Sequence, residues 1–388
     1  MILCLLANKL YSINVSILIK KEIISEIPFE CSFKKVKKVY DLEDPQVLYE
    51  VPEGTERLVF TYKENTWYLN NKKLKIKKIC LSSENEKENI SYENFSYEGT
   101  ILLQSDLGKI YVTNVVDLEK YVAAVVAKEF YSVWHLDSLK IAAIITRTYA
   151  VHKLLQRKET SIYHLKNSIF DQHYCGYIHN EKIKTAVHET KGRIITWQKK
   201  AIMAMYHVCC GGVIPQECVG FNFEKHPYLE RKKKCLGCKT YKRYEWEINL
   251  SHDIFCHYLS QFLNKSIVRV KKILKISHAK SGTVRRLFLE IETLKNKKKS
   301  SIIQVSLNNK QLRRILNLQL SAHSAFFKLH FDKNYNVKIL GRGNGHHMGL
   351  CQIGMNEYIK NGIKIEEILK FYYPKTQISL LEEILSLV

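Results

Sequence analysis

The stretch that decides the fold runs from Asp117 to His152, DLEKYVAAVVAKEFYSVWHLDSLKIAAIITRTYAVH. Its second half, Leu136 to His152, carries apolar residues at helical spacing and predicts an amphipathic helix. Lys140 and Arg147 are seven residues apart in it, which places them two turns apart on one helix face. We expect this helix to lie at the centre of the fold and to present both cations to one cleft, together with the carboxyl of Glu129.

Glu129 is the candidate catalytic acid of this stretch. The residues around it are largely apolar, with Val125 and Val126 before it and Tyr131 and Val133 after it. Desolvation by such neighbours disfavours the charged carboxylate and raises its pKa, which suits a general acid near neutral pH. The alternative is that Glu129 simply ends a helix at the surface and that the two cations form a solvated face.

The pattern from Leu118 to Ala150 resembles the signature of the SpoIID/LytB family, the stage II sporulation protein D and its relatives. Glu129, Lys140 and Arg147 fall on matching positions of that signature. The residues Phe130 and Tyr131 stand where the family has Met-Pro.

Two segments further along the chain extend the resemblance. A family pattern Q-x-Y-x-G is matched by Gln172, Tyr174 and Gly176, and a pattern YHxxxGG by Tyr206, His207 and the double glycine that follows. The stretch Gly341–Pro374, GRGNGHHMGLCQIGMNEYIKNGIKIEEILKFYYP, resembles the C-terminal family pattern.

That C-terminal stretch also departs from the family at informative positions. Gly345, His346 and Gln352 match, whereas His347 replaces a glycine and Cys351 a serine. A histidine should crowd a turn that glycine normally relaxes. A helix is expected from about Cys351 to Lys360.

The resemblance implies a function in peptidoglycan remodelling. SpoIID relatives act as lytic transglycosylases, which cleave the β-1,4 bond between N-acetylmuramic acid and N-acetylglucosamine in denuded glycan strands and leave 1,6-anhydro ends. On this basis the catalytic residues are Glu129, Lys140 and Arg147, and the residues lining the glycan groove are Tyr149, Tyr206, His207, His346 and Gln352. The alternative is a non-catalytic enhancer of an N-acetylmuramoyl-L-alanine amidase, for which that amidase is the partner.

Cysteine usage points to a metal rather than to disulfides. Of the 11 cysteines, six lie between Cys175 and Cys238, and no export signal accompanies them. The spacing Cys235-x-x-Cys238 is that of metal ligands, and the resemblance places a structural zinc near the glycine-rich turn in some relatives. The candidate ligands are His207, Cys209, Cys210, Cys218, Cys235 and Cys238. The alternative is a group of buried, reduced cysteines; the chemistry itself requires no cofactor.

Composition sets broader limits. The net charge of +23 on 388 residues favours an anionic partner, but the lysines are scattered and no nucleic-acid-binding motif accompanies them, so we expect no nucleic-acid partner. No apolar run approaches the roughly 18 residues of a membrane span. The first 23 residues read better as a strand through Val15 and Ile17 than as a signal peptide. A cell-envelope location follows only from the expected substrate.

The sequence therefore predicts an α+β fold with mixed sheets around a central catalytic helix. A strand-rich N-terminal region is expected over residues 1–96, followed by a SpoIID-like catalytic domain over 97–388. Within the latter, RIITW and AIMAMYHV are expected to form a hairpin, and Leu312–Leu320 a short helix.

Overall fold

The protein is described from a computed structural model that covers residues 13–44, 48–52, 54–83, 89–157, 161–217, 221–295, 299–317 and 323–386. Helices and sheets are mixed, so the predicted α+β class is confirmed. The chain divides into two compact units. Unit 1 comprises Met1–Met203 and Ser379–Val388, and unit 2 comprises Ala204–Ile378.

Strands dominate the first part of unit 1. They are β1 (Asn14–Ile23), β2 (Phe29–Lys34), β3 (Lys38–Asp41), β4 (Leu48–Glu50), β5 (Leu58–Lys63), β6 (Thr66–Leu69), β7 (Lys72–Lys73), β8 (Lys78–Ser82), β9 (Ile90–Tyr92), β10 (Phe95–Tyr97), β11 (Thr100–Asp106) and β12 (Lys109–Asp117). The predicted N-terminal strand is confirmed, because β1 buries Val15 and Ile17 completely.

The helices follow directly on this sheet region. The elements are α1 (Leu118–Glu129), α2 (Leu136–Gln156), β13 (Leu165–Lys166), α3 (Glu181–Glu189), β14 (Arg193–Trp197) and β15 (Lys200–Ala201). One seven-stranded sheet has the order β13-β1-β12-β11-β8-β3-β4, and a six-stranded sheet has the order β10-β9-β2-β5-β6-β7. Strand β12 leads straight into α1, so the sheet fixes where that helix begins.

The boundary expected between residues 96 and 97 does not separate compact units. Strand β11, which begins after it, pairs with β8, which lies before it, in the register Ile101↔Leu81. Strand β12 in turn pairs with β1. The strand-rich N-terminal region and the start of the expected catalytic domain therefore share one sheet, and the division falls instead after Met203.

Helix α2 is buried on more sides than an amphipathic helix would be. Its buried residues run from Ser138 to Val151 with Lys140 as the half-buried exception. It contacts α1, α3, β14 and β15. A helix that is apolar nearly all round belongs in the interior, and the expectation of a central helix is met in that sense.

Unit 2 combines short motifs with two antiparallel sheets. Its elements are β16 (Tyr206–His207), β17 (Glu245–Leu250), α4 (His252–Leu263), β18 (Ile267–His278), β19 (Val284–Lys295), β20 (Lys299–Asn308), α5 (Asn309–Asn317), β21 (Phe327–Phe331), β22 (Val337–Arg342), β23 (Leu350–Cys351), α6 (Gln352–Lys360) and α7 (Ile365–Tyr372). The chain ends with β24 (Gln377–Leu380) and α8 (Leu381–Leu385). The three-stranded sheets have the orders β17-β22-β21 and β18-β19-β20.

A two-stranded parallel pairing joins the two motif stretches of unit 2. Strand β16 pairs with β23 so that Tyr206 lies opposite Leu350 and His207 opposite Cys351. Parallel strands need a connection that leaves and returns, and here that connection contains both antiparallel sheets. Segments far apart in sequence are thereby placed side by side.

The helices that the structure describes include none with the combination of length and apolar character required to cross a bilayer.

Candidate functional site

Glu129 is the last residue of α1, and the start of that helix is firmly held. The Asp117 carboxylate accepts hydrogen bonds from the main-chain N–H groups of Glu119 at 2.8 Å and Lys120 at 3.2 Å, which is the usual N-cap arrangement. The helix then buries the run from Tyr121 to Val126. A rigid, buried helix therefore positions the Glu129 carboxyl, which is itself half-buried.

The main chain of an extended segment contacts this carboxyl. Glu129 Oε1 accepts a hydrogen bond of 2.8 Å from the His173 N–H. Along the same segment Gln172, Tyr174 and Gly176 are buried while His173 and Cys175 are half-buried, the alternation of an extended chain. The residues of the Q-x-Y-x-G pattern thus face the interior.

Side-chain hydrogen bonds anchor that segment. The Tyr121 hydroxyl donates to Gln172 Oε1 at 3.0 Å, and the Tyr174 hydroxyl donates to Asn114 Oδ1 at 2.7 Å. Gly176 has φ +73°, and a Cβ there would lie 2.2 Å from the Ser96 carbonyl oxygen. These contacts fix the main-chain N–H that Glu129 binds. Sequence reasoning missed His173, although it lies inside a pattern that had been identified.

The apolar neighbours of Glu129 in sequence differ in burial, and Phe130 directly after it is buried. Val125 and Val126 are buried in the core, whereas Tyr131 and Val133 are exposed, the latter by 84%. Tyr131 and Val133 therefore shield the carboxyl from solvent less than their place in the sequence suggested.

The prediction that Arg147 shares a cleft with Glu129 is wrong. Arg147 is completely buried and forms a two-point ion pair with Glu119, with Nε–Oε1 at 2.8 Å and Nη2–Oε2 at 2.6 Å. Its remaining donors bind the carbonyls of Arg193 and Val187 at 3.1 and 3.3 Å. Glu119 lies in the first turn of α1 and Glu129 at its last residue, about 15 Å apart along the helix.

Lys140 is also engaged away from Glu129. Its Nζ lies 2.7 Å from Glu189 Oε2 at the end of α3 and 3.2 Å from Asp137 Oδ1 one turn earlier in α2. The hydrogen bond with Glu189 raises the pKa of Lys140, which keeps the side chain cationic. As their spacing predicted, both cations lie on one face of α2, and this face contacts α3. They form ion pairs between helices and do not pair with Glu129.

Tyr149 anchors the chain just before the Q-x-Y-x-G segment. Its hydroxyl donates to Asp171 Oδ1 at 2.9 Å, and Lys153 Nζ lies 2.8 Å from the same oxygen. Burial raises the pKa of Tyr149. The ring is only 8% exposed. Its described contacts are those of a positioning residue, not of the glycan-binding residue predicted from sequence.

Unit 1 has a charged cleft beside the N-terminal half of α1. It encloses about 360 Å³ between α1 and α3. Its charged and aromatic lining residues are Glu98, Asp117, Glu119, Lys120, Tyr177, Lys184, His188 and Lys191. Glu129 does not line it, so this cleft is distinct from the place where the candidate acid lies.

The predicted histidines of unit 2 lie together with one more. The ring centres of His207 and His346 are 5.4 Å apart, and those of His207 and His347 are 5.9 Å apart. His346 accepts from the Met348 N–H and uses its other nitrogen to donate to the Tyr206 carbonyl at 2.8 Å. His207 Nδ1 lies 3.0 Å from the Met348 carbonyl.

Burial keeps these imidazoles neutral. It lowers the pKa of His346 to about 4 and of His347 to about 3, and it lowers the pKa of His207 well below the usual value. Neutral rings bring no positive charge, and both ring nitrogens of His346 already bind the Met348 N–H and the Tyr206 carbonyl. His347 has φ +66°, so the expected strain at this glycine position is present.

The other two predicted groove residues flank the parallel pair. Tyr206 is half-buried in β16, and its carbonyl is the group that binds His346. Gln352 is the first residue of α6 and is 4% exposed. Cys351 caps this helix, with its sulfur accepting from the Gly354 N–H at 3.4 Å.

Four cysteine sulfurs converge in unit 2. The Sγ atoms of Cys210, Cys235, Cys238 and Cys351 all lie within 4.8 Å of one another, and all four residues are buried. We call this group the four-cysteine cluster. The hydrogen bond with Cys210 lowers the pKa of Cys235 to about 7, whereas burial raises the pKa of Cys351.

The cluster corrects the ligand set expected from sequence. Among the described residues it contains Cys210, Cys235 and Cys238 as predicted, but not His207, whose Nδ1 lies against the Met348 carbonyl. Cys209 interacts with Cys238 and Cys351 from outside the group of four. Cys218 lies outside the described residues. The fourth member, Cys351, was missed because it had been read only as a replacement for serine.

Comparison with known proteins identifies part of this architecture. Residues 106–197 match the family model described as SpoIID, Stage II sporulation protein. That segment lies in unit 1 and contains α1, α2 and Glu129. Over these residues the chain is similar to the SpoIID family. The resemblance seen in the sequence is thereby confirmed over this segment.

Similarity to individual proteins extends over more of the chain, at modest identity. An uncharacterized protein of Brachyspira hyodysenteriae is 23% identical over 291 residues, covering 74% of this chain and 73% of the relative. Stage II sporulation protein D of Bacillus subtilis is 25% identical over 281 residues, covering 68% of this chain and 75% of that protein. The amidase enhancer of Bacillus subtilis is 23% identical over 293 residues, covering 66% of this chain but 40% of that protein.

Proposed function

We propose that this protein acts on the bacterial cell wall as a peptidoglycan lytic transglycosylase and that Glu129 is its general acid and base. The proposal is supported by the SpoIID domain and by relatives whose names are stage II sporulation protein D and amidase enhancer. The observation that carries it is the half-buried Glu129 carboxyl, held at the end of α1 by the His173 N–H. Action on peptidoglycan implies a location in the cell envelope.

One carboxyl suffices for this reaction. In the proposed reaction the Glu129 carboxyl donates a proton to the glycosidic oxygen as the bond from that oxygen to C1 of N-acetylmuramic acid breaks. The C6 hydroxyl of the same sugar then bonds to C1, and the Glu129 carboxylate takes up the hydroxyl proton. No water is consumed, and the acid is regenerated. A glycoside hydrolase would instead need a second carboxyl beside the bond.

The ion pairs of Arg147 and Lys140 support a positioning role for both residues in the proposed reaction. Arg147 pairs with Glu119 and Lys140 with Glu189, so they position α1, α2 and α3 rather than contact the glycan. Tyr206, His207, His346 and Gln352 of unit 2 keep their predicted glycan-binding role as a proposal, although His207 and Gln352 are each only 4% exposed.

The test is product analysis on peptide-free glycan strands. We expect wild type to release products ending in 1,6-anhydro-N-acetylmuramic acid, and Glu129→Gln to lose about 10²–10⁴-fold in rate, the usual contribution of general acid–base catalysis. Glu181→Gln, an exposed carboxylate in the first turn of α3, serves as the matched control and should keep full activity.

Two outcomes would reject the transglycosylase. Reducing ends in place of anhydro ends would indicate a hydrolase with a second carboxyl, and Asp137 would then be examined first. Full activity of folded Glu129→Gln would remove Glu129 as the acid.

The second candidate is an enhancer of a cell-wall amidase. It is favoured by the similarity to the amidase enhancer and by the pairing of both cations away from Glu129. It predicts that the protein binds insoluble peptidoglycan, releases no glycan products, and raises the rate of an added N-acetylmuramoyl-L-alanine amidase.

A further inference from the structure

We propose that the four-cysteine cluster of unit 2 is a closed structural zinc site with Cys210, Cys235, Cys238 and Cys351 as its four ligands. The proposal does not depend on Glu129 or on the reaction assigned to it. It rests on the spacing of the sulfurs, the groups that surround them and a buried cation close by.

The spacing of the sulfurs fits one tetrahedral ion. With Zn–S bonds of 2.3 Å, tetrahedral ligands lie about 3.8 Å from one another. The Sγ atoms of Cys210 and Cys238 are 3.5 Å apart, and those of Cys235 and Cys238 are 4.0 Å apart. These separations are far longer than the roughly 2.05 Å of a disulfide bond.

An iron–sulfur cluster is the less suitable occupant. Such a cluster attaches its thiolates to different iron atoms with sulfide between them. The cysteine sulfurs around such a cluster must therefore lie further apart. Here all four sulfurs lie within 4.8 Å of one another.

Hydrogen-bond donors surround the sulfurs, as they do in established thiolate sites. The N–H groups of Cys210 and Gly354 donate to Cys351 Sγ at 3.3 and 3.4 Å. The Tyr372 hydroxyl lies 3.1 Å from Cys235 Sγ. Donors stabilise thiolates, so this shell suits deprotonated ligands better than neutral thiols.

Glycine allows the backbone to close around the cluster. A Cβ on Gly354 would lie 2.4 Å from Cys235 Sγ and 2.5 Å from the Tyr372 hydroxyl. A Cβ on Gly237, inside the Cys-x-x-Cys turn, would lie 2.8 Å from the Gly354 carbonyl oxygen. The turn and the start of α6 therefore approach each other as closely as a shared ion requires.

A buried arginine supplies a charge argument. Arg231 is 2% exposed, and its guanidinium lies 5.8 Å from the ring centre of Tyr372, whose hydroxyl contacts Cys235. Its guanidinium donates to the Lys233 and Val213 carbonyls, and the described residues give it no ion pair. A buried cation that lacks an anionic partner is costly. One Zn²⁺ bound by four thiolates is doubly negative. When zinc binds, the thiol protons are released to solvent. The negative charge of the zinc–thiolate group would then compensate Arg231 from the far side of the Tyr372 ring.

The site would join segments that are distant in sequence. Cys210 follows β16, Cys235 and Cys238 lie in the loop before β17, and Cys351 caps α6. All four ligands come from protein, which leaves no position for a water nucleophile and makes the site structural. It would hold the loop carrying His346 beside the strand carrying His207.

The first measurement is the metal content of the reduced full-length protein, purified without a metal-affinity step. Inductively coupled plasma mass spectrometry should find about one zinc per chain. Replacement by Co²⁺ should produce the intense visible bands of a tetrahedral thiolate site. Zinc below about a tenth of an ion per chain, with no uptake when Zn²⁺ is added to the reduced protein, would overturn the proposal.

Variants locate the ion. Cys351→Ser should weaken zinc affinity by more than the roughly 10–100-fold expected for loss of an outer partner. Cys256→Ser removes a buried thiol elsewhere in unit 2 and should keep the zinc. Equal loss from both variants, bound iron in place of zinc, or disulfides among the four cysteines in freshly purified protein would each reject the assignment.

A second pair of variants, which change less of the structure, tests the proposal if Cys351→Ser does not fold. Tyr372→Phe removes the hydroxyl that contacts Cys235 and should weaken zinc binding about 10–100-fold. Its control, Tyr373→Phe, removes a neighbouring buried hydroxyl that donates to the Met205 carbonyl. Unchanged zinc affinity in Tyr372→Phe would contradict the proposed ligand shell.

Discussion

Arg147 shows how a residue that matches a functional pattern can serve the scaffold. Its guanidinium is completely buried, and four hydrogen bonds tie it to Glu119, to the Val187 carbonyl in α3 and to the Arg193 carbonyl in β14. A planar guanidinium suits such two-point pairing, which lysine cannot reproduce. The residue therefore fixes α1 against α2, and its effect on Glu129 is exerted through helix position.

Arg147→Met should be strongly destabilising. Removal of one partner of a buried ion pair typically costs about 3–5 kcal/mol, because the other charge stays buried without compensation. Lys140→Met, which breaks a half-exposed pair, should cost less than about 1 kcal/mol. The free energy of unfolding from urea titration measures both; equal costs would contradict the structural role of Arg147.

The buried histidine His346 predicts a pH dependence of stability. Burial lowers its pKa to about 4, so between pH 6.5 and pH 4 the unfolded chain binds a proton that the folded chain does not. This contribution to stability is complete above about pH 6.5 and is lost as the pH falls toward 4.

The comparison of wild type with His346→Gln isolates that contribution. Between pH 7 and pH 5, wild type should lose roughly 1–2 kcal/mol more stability than the variant, measured by urea titration at each pH. His257→Gln, at an exposed histidine, should show the wild-type pH dependence. Identical slopes for wild type and His346→Gln would show that His346 is not the group responsible.

At the scale of elements, helix α1 and the segment Gln172–Gly176 form the support of the candidate acid. The helix supplies the carboxyl, and the segment supplies the N–H that binds it. The segment has almost no regular secondary structure, so side-chain hydrogen bonds and the conformation of Gly176 hold it in place. Its position is therefore sensitive to single substitutions.

Gly176→Ala tests this support against a matched glycine. Both Gly176 and Gly108 have φ near +70°, where an L-residue costs about 1–2 kcal/mol. A Cβ at Gly108 meets nothing within 4 Å, whereas at Gly176 it meets the Ser96 carbonyl at 2.2 Å. We expect Gly176→Ala to lose more stability and to lose glycan cleavage.

The readouts for this pair are thermal unfolding and the rate of anhydro-product release, with Gly108→Ala close to wild type in activity. Equal activity of the two alanine variants would show that displacement of the His173 N–H does not affect the function of Glu129.

At the scale of the whole molecule, the two compact units carry different chemistry. The SpoIID domain match and Glu129 lie in unit 1, while the three histidines and the four-cysteine cluster lie in unit 2. The proposed zinc ligands belong to unit 2 alone, so removal of the ion should lower local stability there. Hydrogen exchange can report each unit separately.

Chelation of the reduced protein should therefore have a localised effect. After treatment with 1,10-phenanthroline, amides in β23, α6 and residues 235–238 should exchange at least about tenfold faster, a loss of about 1.4 kcal/mol in local stability. Amides of α1 and α2 should keep their protection. Addition of Zn²⁺ should restore the slow exchange, and an unchanged pattern in unit 2 would contradict a structural ion.

Much of the local structure was predictable because it depends on neighbours in sequence. Periodicity placed the central helix, which runs from Leu136 to Gln156, and alternation placed strand β1. The predicted helix after Cys351 runs from Gln352 to Lys360, and the predicted short helix at Leu312 is α5, although residues 318–320 lie outside the described part. Side-chain period and capping chemistry are local properties.

Pairing between distant residues was decided only by the tertiary structure. The sequence determined that an acid, two cations and a Cys-x-x-Cys pair are present and on which elements they lie. It did not reveal that Arg147 binds Glu119 or that Cys351 joins Cys210 across 141 positions. The packing of helices and strands decides which residues become partners. A buried charge must find a partner because an unpaired one is costly, and packing places sulfurs side by side that no local sequence pattern relates.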